Sequence, residues 1–367
     1  MVAQEALGRG LHVAGRSRDV AREAGVSQST VSRALRGDSR ISRETKERVI
    51  SAAERLSYVP NTMGRNLATM STGVVGVVVS DIENPFYPEL LSALHRQLLA
   101  SRHQMVLFAE RTGVSGERLL RYFASGAADG VILATATLAS PIVEKIEALG
   151  LPMVFVNRYT EGVKVDAALA DNAEGGFLAG RYLVELGHRR IGFISGQRDV
   201  STSRDRELGF RRALESAGVP LPDVLTRGGA FSHRGGFEYC AELLSIPEPP
   251  TAIFCANDVI AFGALDAARR LSIPVPERLS VLGFDDLAMA SWDVFSLSSI
   301  RQPISEMAES ATQMLLQRMS SPDSSTPRVV TFATDLVPRG TTAPPPVPGS
   351  PMKSIESVDN VDKKGRV

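Results

Sequence analysis

Apolar residues recur along this chain with two periods, and the change from one to the other divides it. Over residues 18–57 the spacing is helical. Val20, Ala21 and Ala24 share one face of a short first helix, and Val31, Ala34 and Leu35 one face of a second. Val49, Ile50, Ala53 and Leu56 form the stripe of a third, capped by Ser42 and running to about Ser57. Gly25 offers the left-handed turn that two tightly crossed helices need, and Ser27 is a good N-cap for the second. Tyr58-Val59-Pro60 ends the third, because proline disfavours helix in the residue before it. From Val74 onward short β-rich apolar runs alternate with helical patterns. The runs are VVGVVV (74–79), MVLFA (105–109), GVILA (130–134), PMVFVN (152–157), IGFIS (191–195), a stretch near 223–226, AIFCA (252–256) and SVLGFDD (280–286). Helical patterns lie near 87–101, 115–126, 140–149, 173–187, 204–217, 233–245 and 258–271. This alternation predicts right-handed βαβ units in doubly wound parallel sheets, and its two successive runs predict two lobes with a cleft between them. Ligands in such folds bind beyond the carboxyl ends of the strands.

The stretches between and beyond these patterns are polar. NTMGRNLATMSTG (61–73) has no apolar face wide enough to pack and reads as a linker, with a short helix around Met63–Ala68. Residues 341–367 begin TTAPPPVPGSP and read as a disordered tail; residues 1–16 match no pattern and read as a disordered extension.

Charge sharpens the division. The chain of 367 residues has a formal net charge of zero, yet residues 1–72 carry 12 Lys+Arg against 7 Asp+Glu and the remainder carries the opposite excess. A basic head on a mildly acidic body suits a chain that sets one end on a polyanion. Cys240 and Cys255 stand apart from any His or Cys at ligand spacing and read as core residues of a reducing compartment. No apolar run is long enough for a membrane span, and no apolar core of a secretory signal opens the chain, so a cytoplasmic location is expected. Catalysis is not expected. No GxGxxG or GxxxxGK[ST] opens a βα turn, and the five histidines (His12, His95, His103, His188 and His233) join no nucleophile or metal set. No cofactor is implied. His188, in LGHRR between a helix and a strand, reads as a structural turn residue.

The head carries the sharpest chemistry. RDVAREAGVSQSTVSRAL (18–35) reads as a DNA-binding helix-turn-helix, whose second helix enters the major groove with its N-terminal residues. Gln28, Ser29, Ser32 and Arg33 lie there. Arg33 can bond a guanine edge in bidentate fashion, and Gln28 an adenine.

Together the motifs resemble the lactose/galactose/ribose repressor (LacI/GalR) family of bacterial transcription regulators. The resemblance rests on DVAREAGVSQSTVSRAL (19–35), LSYVPN (56–61), DIENPFYPEL (81–90), LGHRRIGFISG (186–196), RELGFRRAL (206–214), FCANDVIAFGAL (254–265) and VLGFDD (281–286), in the family's order and spacing. It implies an all-α helix-turn-helix headpiece (17–60), a hinge (61–73) and a periplasmic-binding-protein-like α/β body (74–340). Lobe 1 of that body would hold about 74–171 and 301–320, and lobe 2 about 172–300 and 328–340. It implies base reading by Gln28, Ser29 and Arg33, phosphate contacts by Thr30 and Ser32, and Leu67 as an apolar minor-groove wedge that kinks the operator. It also implies an effector cleft of Asp81, Phe86, Tyr87, Asn157, Arg158, Arg206, Phe231, Asn257 and Asp285. Carboxylates, amides and guanidinium groups there pair with vicinal hydroxyls while aromatic faces pack on a sugar ring. Plainer roles stand beside these: Asp285 or Asn257 as strand-end caps, Phe86 as core, Arg158 facing solvent, and Leu67 docked on its own body.

The function so implied is a ligand-responsive repressor of carbohydrate-metabolism genes. It would bind a near-palindromic operator as a homodimer, or a higher oligomer, with a sugar as effector. A regulator answering to a nucleoside or purine is the nearest alternative; a sugar-transport binding protein would need a signal peptide and no helix-turn-helix. Three positions depart from the family pattern: Ser17 where it is usually apolar, Arg36 in place of Asn, and Gly64 in the hinge in place of Ala, which should cost helix stability by roughly 1 kcal/mol.

Overall fold

The computed structural model describes residues 16–35, 37–58, 71–109, 116–321 and 326–346, and the chain divides into two compact units at Thr72/Gly73. The expected extension, most of the hinge with Gly64 and Leu67, Arg36, and the tail from residue 347 lie outside the described residues.

The first unit is a three-helix headpiece: α1 (Ser17–Ala24), α2 (Gln28–Leu35) and α3 (Arg43–Arg55). Gly25 takes φ 66° and ψ 40°, the left-handed conformation that lets α1 stop and α2 leave at a sharp angle. Ser27 Oγ accepts from the Thr30 amide at 3.1 Å and Ser42 Oγ from the Thr45 amide at 3.3 Å, so α2 and α3 are each capped by the serine before them. Val20, Val31, Val49 and Ala52 close a small core, with Leu35, Ile41, Leu56 and Tyr58 at its edge. Ile50, expected on the apolar stripe, is exposed instead, and Ala52 takes its place inside.

The second unit holds two parallel sheets. Lobe 1 contains β1 (Val74–Val79), α4 (Phe86–Ala100), β2 (Gln104–Ala109), α5 (Gly116–Ala124), β3 (Gly130–Leu133), α6 (Pro141–Ala148), β4 (Met153–Val156) and β5 (Asp166–Ala170). Lobe 2 continues with α7 (Asn172–Glu185), β6 (Ile191–Ser195), α8 (Ser201–Ser216), β7 (Thr226–Gly228), α9 (His233–Ser245), β8 (Ala252–Cys255), α10 (Asp258–Arg270), β9 (Ser280–Asp285) and β10 (Ser298–Arg301). The chain then returns with α11 (Ile304–Ser320) and β11 (Val329–Phe332) to lobe 1, and crosses again to end lobe 2 with β12 (Asp335–Val337). The strand orders are β11-β5-β4-β3-β1-β2 and β12-β10-β9-β8-β6-β7; only β12 runs antiparallel to its neighbour. Strands β1, β3, β4, β6, β8 and β9 are buried almost throughout, which is why they read as continuous apolar runs rather than alternating ones. Phe193, Phe210 and Phe254 form the densest part of the lobe 2 core, with ring centroids 4.9–5.5 Å apart.

The expected division needs two corrections. Residues 328–340 do not all belong to lobe 2: Val329–Phe332 pairs parallel with β5 and extends the lobe 1 sheet. Buried Asp166 fixes that return. Its carboxylate accepts from Arg318 Nε and Nη2, each at 2.9 Å, and from the Arg328 amide at 2.7 Å, which ties α11 and the entry to β11 onto β5. Burial alone would raise its pKa, but the hydrogen bonds and charges of Arg318 and Arg328 hold it below the usual carboxylate range. Nor does the tail begin at 341. Buried Thr341 exchanges hydrogen bonds with Val281 and caps the Ser298 amide. His188 is the structural residue expected of it: Nε2 donates to the Ala343 carbonyl at 2.9 Å and Nδ1 accepts from the Thr251 hydroxyl at 2.8 Å. Burial pushes its pKa down, so the ring is held neutral. The stretch near 223–226 is a 3-10 turn leading into β7, and α8 starts at Ser201, three residues earlier than its apolar pattern, because Ser201, Thr202 and Ser203 are buried polar residues.

Candidate functional site

On the headpiece, α2 turns Val31 and Ala34 inward and leaves Gln28, Ser29, Ser32 and Arg33 exposed, with Thr30 half-buried. The hydroxyls of Ser29 and Thr30 lie 2.8 and 2.9 Å from Ser27 Oγ, so the first turn is a small hydroxyl network aimed at whatever meets the helix N-terminus. Partial positive charge and free amides at that end favour phosphate oxygens. Lys46 Nζ donates to the Gly37 carbonyl at 3.1 Å, fixing the loop after α2 against α3.

In the body, the residues that line the cleft come from six connections at strand ends, four leading into helices and two, after β4 and β9, into the next strand. Each sheet reverses direction once, between β1 and β3 in lobe 1 and between β6 and β8 in lobe 2; side chains from the loops beyond such switch points meet. Phe86, Tyr87, Asn157, Arg158, Arg206, Phe231, Asn257 and Asp285 line one cavity. Asn84 and Thr202, which the sequence reading did not name, line it as well. Its side chains meet so closely that about 20 Å³ is free, room for about one water. Asp81 is not among them. It is exposed, its Oδ1 accepts from the Glu83 amide at 3.0 Å, and it lines an adjoining cavity of about 370 Å³ that shares Asn84, Tyr87, Arg158 and Phe231.

Arg206 organises the polar wall. Its side chain is 3% exposed. Nε donates to Asn172 Oδ1 at 2.8 Å, Nη1 to the Ala256 carbonyl at 2.6 Å, and Nη2 lies 3.1 Å from Asp285 Oδ1. The guanidinium also stacks on Phe284, 3.7 Å from the ring centroid. Burial pushes its pKa down and Asp285 opposes the shift. Burial likewise raises Asp285, to about 6, against the pull of Arg206. Gln302 Nε2 donates to the same Asp285 oxygen at 2.6 Å. Gln302 was missed from sequence, since nothing local marks the residue after β10 as a partner for one 17 positions earlier.

The backbone is strained where the site is most polar: Asn157 has φ 69° and Asp285 φ 113°, both in the left-handed half of the map. Among the buried polar atoms of the described residues without a partner are Asn157 Oδ1, an acceptor, Arg158 Nε, a donor on the next residue, and Gln302 Oε1 beside Asp285. Arg158 is thus buried rather than turned to solvent, with its guanidinium 5.4 Å from the Phe231 ring centroid. Phe231 is held in place by Gly196, where a Cβ would stand 2.1 Å from the ring. Asn257 does cap α10, accepting from the Ile260 amide at 3.0 Å, and Phe86 does pack in the lobe 1 core; both also reach the cavity. Among the described residues no group of His, Cys, Asp and Glu could hold a metal ion, and no helix is long and apolar enough to cross a membrane.

Comparison with known proteins agrees with this architecture. Residues 18–61 match the bacterial regulatory proteins of the lacI family, and residues 181–342 match a periplasmic binding protein-like domain. The HTH-type transcriptional repressor PurR of Erwinia tasmaniensis is 32% identical over 307 residues, 83% of this chain and 90% of the relative. Among solved structures, the transcriptional regulator CelR in complex with cellobiose shares 32% identity at a TM-score of 0.69, over 89% of this chain and 99% of that one. The Lac repressor bound to ONPG in its repressed state shares 26% identity at a TM-score of 0.79, with the same coverage. A helix-turn-helix headpiece, a two-lobed body of parallel sheets and relatives at this identity across four fifths of the sequence make this chain a member of the lacI family of bacterial regulatory proteins, a ligand-responsive transcriptional repressor.

Proposed function

We propose that the repressor binds a near-palindromic operator as a homodimer and releases or engages it in response to a sugar held between the lobes. The observation that carries the effector reading is the pair of unpartnered buried groups at Asn157 and Arg158. An acceptor and a donor on successive residues, lining the same cavity as the Arg206–Asp285 pair, Tyr87 and Phe231, match vicinal hydroxyls on a ring with one apolar face. CelR, which carries cellobiose, supports a sugar; the resemblance to PurR keeps a purine as the second reading. Asp81 and the adjoining cavity would receive substituents on the sugar.

On the operator, Gln28, Ser29 and Arg33 read base edges from the exposed face of α2, and Thr30 and Ser32 meet phosphates. Leu67, as the sequence suggests, unstacks the central step. An effector drawing the lobes together changes the separation of the two hinges in the dimer, and thereby operator affinity. The test is a thermal-shift screen of the full chain against sugars, nucleosides and purines. A ligand at 100 times its Kd stabilises by about 2.7 kcal/mol, a shift of a few degrees. A response confined to purines would overturn the sugar reading.

A further inference from the structure

The loop after β4 and the first turn of α8 face each other across the cleft, and they touch through groups that the effector cavity does not use. Arg204 of lobe 2 donates to Glu161 and to the hydroxyl of Tyr159, both of lobe 1, and its Nε holds its own neighbour Asp205 at 2.9 Å. The Tyr159 hydroxyl in turn donates to Asp205 Oδ2 at 3.3 Å. Arg204, Tyr159 and Asp205 therefore each have at least two partners, Glu161 is held by Arg204, and the tyrosine both accepts and donates across the gap. Two contacts through the backbone run beside them: the Leu138 amide donates to the Asp199 carbonyl at 2.8 Å, and the Tyr159 amide to Ser201 Oγ at 3.4 Å. The lobe 1 side is braced from within, by the Glu161 amide on the Leu138 carbonyl at 3.0 Å and by the Thr160 hydroxyl on the Thr137 carbonyl at 2.9 Å.

Its place matters as much as its contacts. Asn157 and Arg158 immediately precede Tyr159, and Thr202 and Arg206 bracket Arg204 and Asp205 on α8. Positions 202 and 206 are one helical turn apart and share the face lining the cavity; 201 and 205 share the neighbouring face. One loop and one helical turn thus carry both the cavity wall and the second cluster, so that neither can separate without the other.

We propose that Tyr159, Glu161, Arg204 and Asp205 form an interlobe clasp that holds the effector-free body closed and sets how readily the cavity opens. A lone exposed ion pair would do little; a four-membered network with a shared tyrosine, braced on one side and partly shielded, has the cooperativity a hinge needs. Arg204 is 38% and Glu161 58% exposed, which leaves the clasp within reach of salt. An effector then works against, or on top of, a closure the chain already favours.

The experiment measures lobe separation in the full effector-free chain, so its failure would leave the effector reading standing. Nitroxide labels go on Glu144→Cys of α6 and Arg234→Cys of α9, exposed positions on opposite sides of the larger cavity. The native thiols do not interfere, because Cys240 and Cys255 are fully buried and burial pushes both thiols up, Cys240 to about 12. Pulsed electron-spin distance measurement should give one short, narrow distribution. Arg204→Ala should raise the ratio of long to short distances by about fivefold, and Glu161→Gln by less. Raising salt from low ionic strength to about 1 M should open the unsubstituted chain in the same direction. An unchanged distribution in Arg204→Ala, with melting temperature preserved, overturns the clasp. Should Arg204→Ala fail to fold, Glu161→Gln and the salt series decide it, and a distribution indifferent to both overturns it equally.

Discussion

Two arginines show how differently the two units of this repressor use the same side chain. Arg33 stands on the outer face of α2, exposed, on a helix whose fold needs only Val31 and Ala34 beneath it. Arg206 is buried in lobe 2, committed to Asn172, the Ala256 carbonyl and Asp285 and stacked on Phe284. The first is available to a partner because the protein asks nothing of it. The second, in the proposed function, positions a carboxylate for a ligand, and the protein has already fixed it from four sides. On the proposed reading, recognition of DNA by the headpiece separates from stability, whereas effector recognition by the body does not.

Substitution of the buried arginine should break that contrast most forcefully if it is wrong. Arg206→Ala takes from buried Asp285 its counter-ion while the Gln302 amide still donates to it, and should cost about 3–5 kcal/mol of body stability along with the effector response. A melting temperature within a degree of the unsubstituted protein would show that the ion pair is not part of the lobe's framework. Arg33→Ala is the matching change on the exposed side. It should weaken operator binding by about 1–3 kcal/mol, leave random-sequence DNA nearly untouched and leave the melting temperature alone; equal losses on both DNAs would move Arg33 from base edges to phosphates.

The effect of pH should sharpen the comparison further. Asp285 titrates near 6, raised by burial, so its accepting carboxylate is lost as pH falls through that value. Effector affinity should drop up to tenfold per pH unit below about 6 and be flat above 7, while operator binding by the effector-free chain keeps its own, different profile. Calorimetry from pH 5 to 8 checks it, and a flat affinity would remove Asp285 from the ligand's hydrogen bonds. The smallest change expected is Ser27→Ala. Losing the cap of α2 should cost the headpiece about 1 kcal/mol and unsettle the Ser29 and Thr30 hydroxyls, seen as faster amide exchange at Thr30. The body's melting should not move.

The same contrast explains what could be read from the sequence. The helix-turn-helix is local: a face of three apolar residues, a glycine and a capping serine lie within 18 positions, so exposure of Gln28, Ser29, Ser32 and Arg33 follows from helical period alone. The cavity is assembled from loops up to 200 positions apart. Its members were named through resemblance to a family, and the family pattern carried Asp81 in although the fold turns that residue into a local turn beside the site. Asn84 lay inside a quoted motif, DIENPFYPEL, and went unnamed, because its side chain is spent capping the Phe86 amide at 3.1 Å. Thr202 opens a helix with no apolar start signal. Gln302 and the clasp residues Tyr159, Glu161, Arg204 and Asp205 had no local signature at all.

The period of the apolar residues, then, determined the elements, their alternation and hence two doubly wound lobes behind a helical head, because each element must bury its own apolar face. What the tertiary structure alone decided is which lobe receives the returning chain and which polar groups meet. Val329–Phe332 could pair in either sheet by pattern; the buried carboxylate of Asp166, satisfied only by Arg318 and Arg328, sends it to lobe 1. Polar partners at a distance are matched by geometry and by the cost of leaving a buried group unsatisfied, and neither is written in the local spacing of residues.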